Sequence, residues 1–373
     1  MSKVFVMMSG GVDSSVATGL LKEQGYEVVG VFMRCWSLEA LEKMGLSTDL
    51  YGCFWEDDVQ DAGLVAAKLG VPFEVWDFEK EYRERVVDYM VAEYACGRTP
   101  NPDVMCNGLI KFGIFYERAI ASGADFVATG HYARIVETIN SFELKKEVGA
   151  EQKKFLAIAR GLDASKDQSY FLWRIRREQL LQILFPVGNL LSKSKVREVA
   201  KRYGLVTATK PDSQGLCFIG ETPLRELLLQ TLGKKEGEIV EEFTDRVLGK
   251  HPGAFLYTIG QREKLGLSGG PWFVSRTEVE TNRVYVVHEQ NPKPLYKNKL
   301  IINNLNWIAF SGQGQLRCQA QVRYRQAAKA CVVKIWDDGR AEVIFEEPVR
   351  AATSGQSLVF YDEQILLGGG IIV

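Results

Sequence analysis

Small residues and hydroxyls cluster near the start of the chain, between an apolar segment and a helical pattern. Residues 3–8 are apolar after Lys3, the string Ser9-Gly10-Gly11-Val12-Asp13-Ser14-Ser15 follows, and residues 16–21 have an amphipathic helical pattern. A strand that enters a glycine-rich turn at the start of a helix directs free backbone N–H groups and the positive end of the helix dipole at a bound phosphate. No Gly-Lys-Ser/Thr follows the glycines, so the turn is not a Walker A loop. The pattern predicts that a nucleotide phosphate binds at residues 9–15.

A second stretch, residues 98–107, is rich in turn and cap residues and contains a cysteine. Asn101 can cap a helix whose first residue is Pro102, which places Cys106 in or just after the first helical turn. The helix dipole favours a thiolate there. Asp103 lies three residues earlier on the same helix face and could accept a proton from Cys106 or from a substrate. An ordinary cap followed by a half-buried cysteine is the alternative interpretation.

A second cysteine segment lies in residues 207–221, which have no helical or strand period. Gly215 and the polar residues around it predict a mobile linker that carries Cys217. A mobile thiol can move between a donor and a substrate. An inert loop cysteine is the alternative.

Composition and charge limit the classes of function. The chain has 373 residues, a formal net charge of −1, seven cysteines without CxxC spacing and three histidines, so a structural zinc site is not expected. No apolar run reaches the length of a membrane span, and no secretory leader is evident, so a cytoplasmic protein is predicted. If nucleic acid binds, local basic patches must attract it. The candidates are Arg174, Arg176 and Arg177; Lys193, Lys195, Arg197, Lys201 and Arg202; and Arg323, Arg325 and Lys329.

The first part of the chain alternates strands and helices, which predicts a doubly wound parallel sheet with its ligand at the carboxyl ends of the strands. Residues 133–138 and 154–160 are predicted to form a hairpin, and residues 168–184 a helix. From about residue 236 onward, short strands predominate and predict a barrel or sandwich, with one strand at 255–259. Asp338-Gly339 predicts a hairpin turn within this region.

Taken together, these motifs resemble the tRNA-specific 2-thiouridylases, a family of PP-loop ATP pyrophosphatases. The resemblance covers essentially the whole chain, and its strings occur in order at residues 9–15, 32–33, 99–107, 110–112, 129–132, 161–163, 166–172, 212–219, 257–262, 322–325 and 355–356. It implies an α/β fold of adenine nucleotide alpha hydrolase type, then a small central domain and a C-terminal β-barrel that contacts tRNA. The expected boundaries are 1–211, 212–292 and 293–373.

The resemblance also implies the reaction and its residues. ATP, with Mg²⁺ expected from ATP chemistry and no residue assigned as a metal ligand, activates the C2 oxygen of the wobble uridine in tRNA, and a persulfide on Cys217 supplies sulfur. Cys106 then forms a disulfide with Cys217, with Asp103 as acid or base, although attack by released hydrosulfide is a variant. A sulfur-relay protein or cysteine desulfurase is the implied donor. ATP is expected to bind through Met8, Ser9, Gly10, Gly11, Val12, Asp13 and Ser14, with Met33 and Gly130 near the adenosine. The tRNA contacts implied are Asn101, Pro102, Asp103, His131, Lys166, Asp167, Gln168, Arg323, Tyr324 and Gln356.

Two other classes of function remain open at this point. Other PP-loop enzymes, such as the amidotransferases and synthetases that deliver nitrogen, share the first loop but need no paired cysteines. A non-catalytic nucleotide-binding module would leave the cysteine segments unexplained. The chain also departs from the family pattern at Gly108-Leu109, where the family usually has a lysine and another polar residue. No role is assigned to Cys35, to Cys53 or to residues 37–54.

Overall fold

The computed structural model describes residues 1–37, 39, 54–139, 154–212, 224–310 and 313–373. Cys53, the tip of the 133–160 hairpin and the segment with Gly215 and Cys217 lie outside these residues. Predictions about them therefore have no structural outcome.

The described residues of the first half of the chain form seven strands: β1 Lys3–Met8, β2 Glu27–Arg34, β3 Phe73–Asp77, β4 Phe126–Ala128, β5 Ala133–Ile139, β6 Lys154–Arg160 and β7 Ile183–Leu184. Five of them form one parallel sheet in the order β3-β2-β1-β4-β7. The central strand β1 is almost fully buried, as its apolar sequence requires in a sheet covered on both faces. The predicted parallel α/β sheet is confirmed.

The helices that accompany this sheet are α1 Val12–Glu23, α2 Phe54–Leu69, α3 over 79–95, α4 over 102–121 and α5 Lys193–Arg202, and α6 Leu224–Leu232 follows. Both α3 and α4 contain a π-helical stretch, Arg83–Val87 and Cys106–Phe115. Such stretches are frequent at functional sites.

The helix predicted over residues 168–184 is wrong. Two short 3-10 turns, Ser169–Leu172 and Arg177–Gln182, lead into β7 there. Tertiary hydrogen bonds hold the segment out of a regular helix: the Tyr170 hydroxyl donates to the Ser357 carbonyl at 2.8 Å, and the Gln179 side chain donates to the Phe112 carbonyl at 2.7 Å.

A small sheet follows, with four strands in the order β10-β11-β8-β9. Its members are β8 Gly237–Glu241, β9 Val247–His251, β10 Trp272–Glu278 and β11 Arg283–His288. The strand predicted at 255–259 is wrong, because Ala254–Leu256 forms a 3-10 turn whose Ala254 packs in the core under this sheet.

The C-terminal strands are β12 Tyr296–Trp307, β13 Gln315–Gln321, β14 Lys329–Ile335, β15 Ala341–Arg350, β16 Ser357–Asp362 and β17 Ile365–Ile372. They form a closed barrel of six strands, because β12 pairs with both β15 and β17. Gly339 has a φ of +79° in the turn between β14 and β15, as the predicted hairpin requires. The predicted succession of α/β sheet, small central domain and β-barrel is confirmed.

The barrel and the first domain are joined by hydrogen-bonded structure. The β5–β6 hairpin extends from the first half of the chain and pairs with β17 through Leu366 and Ile158. The Trp173 indole donates to the Ser357 hydroxyl at 3.0 Å, so a second strand of the barrel is also bound. In the described part of the chain, no helix is both long and apolar enough to cross a bilayer.

Candidate active site

The loop between β1 and α1 has the geometry of a phosphate-binding turn. Gly10 has a φ of +73°, and a Cβ added there would lie 2.4 Å from the Asp58 carbonyl oxygen, so only glycine fits. Gly11 precedes the first helical residue, and no side chain caps the helix at that position. The Ser14 hydroxyl accepts from the Ser9 backbone N–H at 3.1 Å and fixes the turn. The first N–H groups of α1 thus border a compact loop, as anion binding requires.

Two predicted nucleotide-binding residues on other elements lie at the same edge of the sheet. Gly130 follows β4, and a Cβ added there would lie 2.6 Å from the Ser14 backbone nitrogen. Met33 lies one residue after Phe32, the register partner of Met8 in the adjacent strand. The structure therefore places Met8, the loop, Met33 and Gly130 together.

The Asp13 carboxylate is the centre of a polar cluster at the start of α1. Both of its oxygens accept from the Lys193 ammonium at 2.7 Å, and Oδ1 also accepts from the Tyr132 hydroxyl at 2.7 Å. Lys193 is only 15% exposed and begins α5. Burial and the Asp13 charge raise the pKa of Tyr132, so this hydroxyl stays a donor. These bonds join α1, α5 and the segment that follows β4 at the phosphate-binding loop.

The same lysine continues the cluster to Asp212. Lys193 lies 2.9 Å from the Asp212 carboxylate, which also pairs with Lys166 at 2.7 Å and Arg197 at 3.1 Å. Burial alone would raise the pKa of Asp212, but hydrogen bonds from Lys166 and Lys193 and their charges lower it to about 2. The last described residue before the Cys217 segment is thus anchored beside the loop.

Asp212→Asn is expected to lower the free energy of unfolding by about 2 kcal/mol near neutral pH, because each pKa unit corresponds to ~1.4 kcal/mol. A carboxyl whose pKa is lower in the folded protein stabilises it above the ordinary value, 3.8, and that contribution disappears as pH falls towards about 2. Urea unfolding should therefore separate the variant from the wild type near pH 7 and bring the two nearly together only at about pH 2. An equal separation at both pH values would contradict this assignment.

The start of α4 follows the sequence prediction. The Asn101 side chain accepts from the Val104 backbone N–H at 3.2 Å, and Pro102 is the first helical residue. Asp103 is partly exposed in the first turn. Cys106 is fully buried where the helix changes to its π-helical stretch, so its thiol is shielded from bulk solvent.

The chain leading to this helix is held by the barrel. The Gln356 side-chain amide donates to the Thr99 carbonyl at 3.0 Å and the Pro100 carbonyl at 3.1 Å. The Thr99 N–H donates to the Ser354 carbonyl at 2.9 Å, and Gly355, with a φ of +89°, lets the two backbones approach. Gln356, predicted as a tRNA contact, thus has its amide on the backbone that positions Asn101, Pro102 and Asp103.

Gln356→Ala is expected to increase the alkylation rate of Cys106 by about tenfold or more. Two hydrogen bonds of ~1 kcal/mol each hold the start of α4, and their loss raises the population of the open helix end. Iodoacetamide labelling followed by mass spectrometry measures the rate at this one thiol. Gln364→Ala, at an exposed turn residue of the barrel, is the matched control. An unchanged rate in the Gln356 variant would refute the positioning role.

The remaining predicted tRNA contacts occupy mixed environments. His131 is 8% exposed, and burial with the nearby Lys111 charge lowers its pKa well below the usual value, so the ring is neutral. Asp167 is buried and accepts from Arg160 at 2.7 Å. The Gln168 side chain accepts from the Tyr132 N–H at 3.0 Å. All three side chains, predicted as tRNA contacts, thus make contacts inside the protein in this structure.

Arg323 and Tyr324 lie at the junction of the domains. Arg323 donates to the Ile259 carbonyl at 2.8 Å and the Thr353 hydroxyl at 3.0 Å, which joins the central domain to the barrel. The Tyr324 ring packs on Phe171 with centroids 4.5 Å apart. In the structure both residues join elements of the protein.

Lys193 and Arg197, predicted from sequence as members of a basic patch, are instead paired with acidic residues in the cluster around Asp13 and Asp212. Lys195 pairs with Glu198 and Arg202 with Glu23, so this patch is largely neutralised. Sequence reasoning missed the roles of Tyr132 and Asp212. No spacing signal could have linked Lys193 to Asp13, because 180 residues separate them.

Three family models match consecutive parts of the chain. Residues 2–221 match the model described as a tRNA methyl transferase HUP domain, residues 225–288 the corresponding PRC-barrel domain, and residues 297–372 an aminomethyltransferase beta-barrel domain. These matches follow the succession of sheet, central domain and barrel seen in the structure.

Curated relatives match over the full length. The tRNA-specific 2-thiouridylase MnmA of Listeria monocytogenes serotype 4a (strain HCC23) is 44% identical, over 99% of this chain and 94% of the relative. The protein of the same name from Bacillus licheniformis is 44% identical over 100% of this chain and 95% of the relative, and that from Bacillus pumilus is 45% identical over the same shares. The chain therefore belongs to the family of tRNA-specific 2-thiouridylases.

Proposed function

We propose that this protein uses ATP to replace the C2 oxygen of the wobble uridine in tRNA with sulfur. One observation carries the proposal: a phosphate-binding turn and a helix-borne cysteine occur together in a chain that matches thiouridylases from end to end. The named activity of those relatives is 2-thiolation of tRNA uridine. Nitrogen-delivering PP-loop enzymes and non-catalytic modules would not need Cys106 or Cys217.

ATP is the proposed activating substrate. Met8, Ser9, Gly10, Gly11, Val12, Asp13 and Ser14 are the proposed phosphate-side residues, with Met33 and Gly130 beside the adenosine. The C2 oxygen of uridine attacks the α-phosphorus, and pyrophosphate leaves. A carbonyl flanked by two nitrogens is a poor electrophile, and the bound AMP becomes a far better leaving group than hydroxide.

Sulfur transfer then requires two thiols. The terminal sulfur of a Cys217 persulfide attacks C2, and AMP leaves with the former C2 oxygen. The Cys106 thiol attacks the inner sulfur, which releases thiouridine and leaves a Cys106–Cys217 disulfide for a dithiol to reduce. In the variant route Cys106 first releases hydrosulfide, which attacks C2. Asp103, in the first turn of the same helix, is the proposed acid or base.

The anchoring of Asp212 supports a position of Cys217 near the proposed nucleotide site. Cys217 is five residues after Asp212 in the sequence. Five residues of extended chain reach at most about 18 Å. Since Asp212 is held beside the loop at the start of α1, the sequence distance permits Cys217 to reach the nucleotide edge of the sheet.

The proposed partners follow from this chemistry. Mg²⁺ is expected to accompany ATP, and phosphate oxygens and water can supply most of its ligands. Over the described residues, no cluster of three or more His, Cys, Asp or Glu side chains is arranged to bind a metal ion. A persulfide-bearing relay protein or a cysteine desulfurase is the proposed donor, and the cytoplasm, where tRNA is located, is the proposed compartment.

The proposed tRNA contacts divide into two groups. Asn101, Pro102 and Asp103 are proposed to hold the target base, which must leave its stack to be adenylated. His131, Lys166, Asp167, Gln168, Arg323, Tyr324 and Gln356 are proposed to touch or support the bound tRNA. Many of these side chains make hydrogen bonds inside the protein, for example Asp167, Arg323 and Gln356. They are therefore expected to affect tRNA binding partly by holding neighbouring segments of the protein in place.

The proposal is tested by product stoichiometry. The purified protein is incubated with ATP, Mg²⁺, a cysteine desulfurase with cysteine as the source of persulfide sulfur, a reductant and a tRNA transcript that has uridine at the wobble position. One AMP, one pyrophosphate and one 2-thiouridine are expected per turnover, and none with cytidine at that position. Release of AMP driven by ammonia, or no AMP with any tRNA, would contradict the proposal.

A further inference from the structure

Arg174 is a half-buried cation without an acidic partner. In the described ranges, with their gaps, it makes no hydrogen bond or ion pair, and its guanidinium lies 5.3 Å from the Trp173 ring centroid. Burial lowers the pKa of Arg174, and only an ionised Tyr89 would raise it; burial raises the pKa of Tyr89 to about 12, so its hydroxyl is uncharged at neutral pH. A partly desolvated arginine without a counter-charge is costly unless a ligand supplies that charge.

Gly108 makes the position of Arg174 possible. A Cβ added at Gly108 would lie 2.8 Å from the Arg174 Cβ, 3.2 Å from its Cδ and 3.3 Å from its Nε. The stem of the arginine therefore lies directly against the backbone of α4. Any side chain at residue 108 would displace the guanidinium, so the glycine and the arginine form one structural unit.

The other arginines of this segment have different environments. Arg176 is exposed and lies 3.3 Å from Glu178 and 3.8 Å from Glu117. Arg177 is exposed and stacks on Phe155 at 4.7 Å. Nearby Arg98 is bound by Glu93 through two hydrogen bonds of 2.7 and 2.6 Å. Of these four arginines, Arg174 alone is both half-buried and without an acidic partner among the described residues.

We propose that Arg174, seated on Gly108, binds a backbone phosphate of the tRNA beside the flipped wobble nucleotide. This inference rests on the proposed function and adds a binding residue to it. Gly108 follows Cys106 by two residues, and residues two apart on a helix point to nearly opposite sides. Arg174 thus borders the flank of α4 away from the thiol, within about one helix diameter of 10–12 Å. A contact there positions the strand and does not read a base.

The guanidinium suits a phosphate for a physical reason. Its planar fork donates two parallel N–H bonds to phosphate oxygens, and its stem is already ordered against Gly108. A carboxylate of a sulfur-donor protein could also be bound in this way. The half-buried position on the helix that carries Cys106 favours the nucleic acid, since the substrate must reach this helix in every turnover.

The test compares tRNA binding by Arg174→Ala, Arg174→Lys and Gly108→Ala with the wild type. Fluorescence anisotropy of a labelled wobble-uridine transcript gives Kd at several salt concentrations. Arg174→Ala is expected to raise Kd about tenfold or more and to reduce the salt slope by about 0.7–0.9. The lysine variant should lie between, because it keeps the charge and loses the fork. Gly108→Ala should raise Kd at unchanged net charge, although alanine is the better helix former.

Two controls keep the outcomes distinct. Arg177→Ala removes the same charge from the same segment and is expected to change Kd by less than about threefold; an equal effect would assign the loss to general attraction and overturn the proposed site. Steady-state thiolation by Arg174→Ala should show a raised KM for tRNA with kcat within about twofold, which loss of folding would not produce.

The failure of this inference differs from the failure of the proposed function. A wild type that binds and thiolates tRNA while all three variants bind equally well would overturn the Arg174 site alone. Normal tRNA binding with impaired transfer from a protein persulfide donor, but not from sulfide, would assign Arg174 to the donor and overturn the phosphate contact. A wild type that neither binds nor thiolates tRNA would overturn both.

Discussion

Replacement of Cys106 by serine is expected to reduce formation of 2-thiouridine by about 10³-fold or more, which corresponds to at least ~4 kcal/mol of activation free energy. Serine cannot break a sulfur–sulfur bond, so neither route to the thiolated base can be completed. Cys106 is fully buried on a helix whose start is fixed by Asn101, and its position is therefore set by the fold. Pyrophosphate release should persist for one turnover, because activation of the C2 oxygen precedes the step that needs the thiol.

Controls separate this effect from a folding defect. Cys96→Ser changes an exposed cysteine and should leave thiolation unchanged. Cys106→Ala keeps the buried site apolar and should lose activity as completely as the serine variant while the protein stays folded, with a melting temperature lowered by only a few degrees. Mass spectrometry of digested tRNA measures the product. A Cys106→Ser protein with more than about a tenth of the wild-type rate would show that Cys106 takes no part in the chemistry.

Asp13→Asn is expected to lower kcat/KM for ATP-dependent pyrophosphate release by about 10²-fold and to destabilise the first domain by about 2 kcal/mol, since Asp212 still pairs with Lys193 at 2.9 Å. The carboxylate accepts from Lys193 through both oxygens and from Tyr132. An asparagine must present its NH₂ group to one of these donors, and it leaves Lys193, only 15% exposed, with a reduced counter-charge. The start of α1 then loses its fixed relation to the Gly130–Tyr132 segment.

Asp61→Asn is the matched control for this variant. Asp61 shares Lys210 with Asp58, which stays in place at 2.7 Å, so the loss should be below about 1 kcal/mol with ATP kinetics unchanged. Pyrophosphate assays and urea unfolding measure both variants. Equal losses of stability and of pyrophosphate release in the two variants would contradict the role of the Asp13 cluster in ATP activation.

The sequence indicated the elements whose signals are local. The strand, glycine turn and helix at residues 3–21 form as their pattern predicts, and Asn101 caps α4 with Pro102 as its first residue. The Asp338-Gly339 turn joins two barrel strands. In each case the conformation depends on neighbouring residues, which is why composition and spacing were sufficient.

The sequence did not indicate features that depend on distant contacts. Residues 168–184 have the composition of a helix, yet Tyr170, Trp173 and Gln179 bond to the barrel and to α4 instead. Lys193 resembled part of a basic surface and is enclosed by two carboxylates from other elements. The departure at Gly108 has a physical reason that only the fold reveals, the stem of Arg174. The catalytic and tRNA-binding roles assigned to individual residues stay predictions.

The central claim is that AMP becomes attached to the C2 oxygen of the wobble uridine before sulfur arrives. A tRNA carrying ¹⁸O at C2 of that uridine tests it directly, because the C2–O bond must break while the new O–P bond survives. Mass spectrometry is expected to find one ¹⁸O in the phosphate of AMP for each 2-thiouridine formed. Unlabelled AMP alongside thiolated tRNA, or label released in water, would contradict the account.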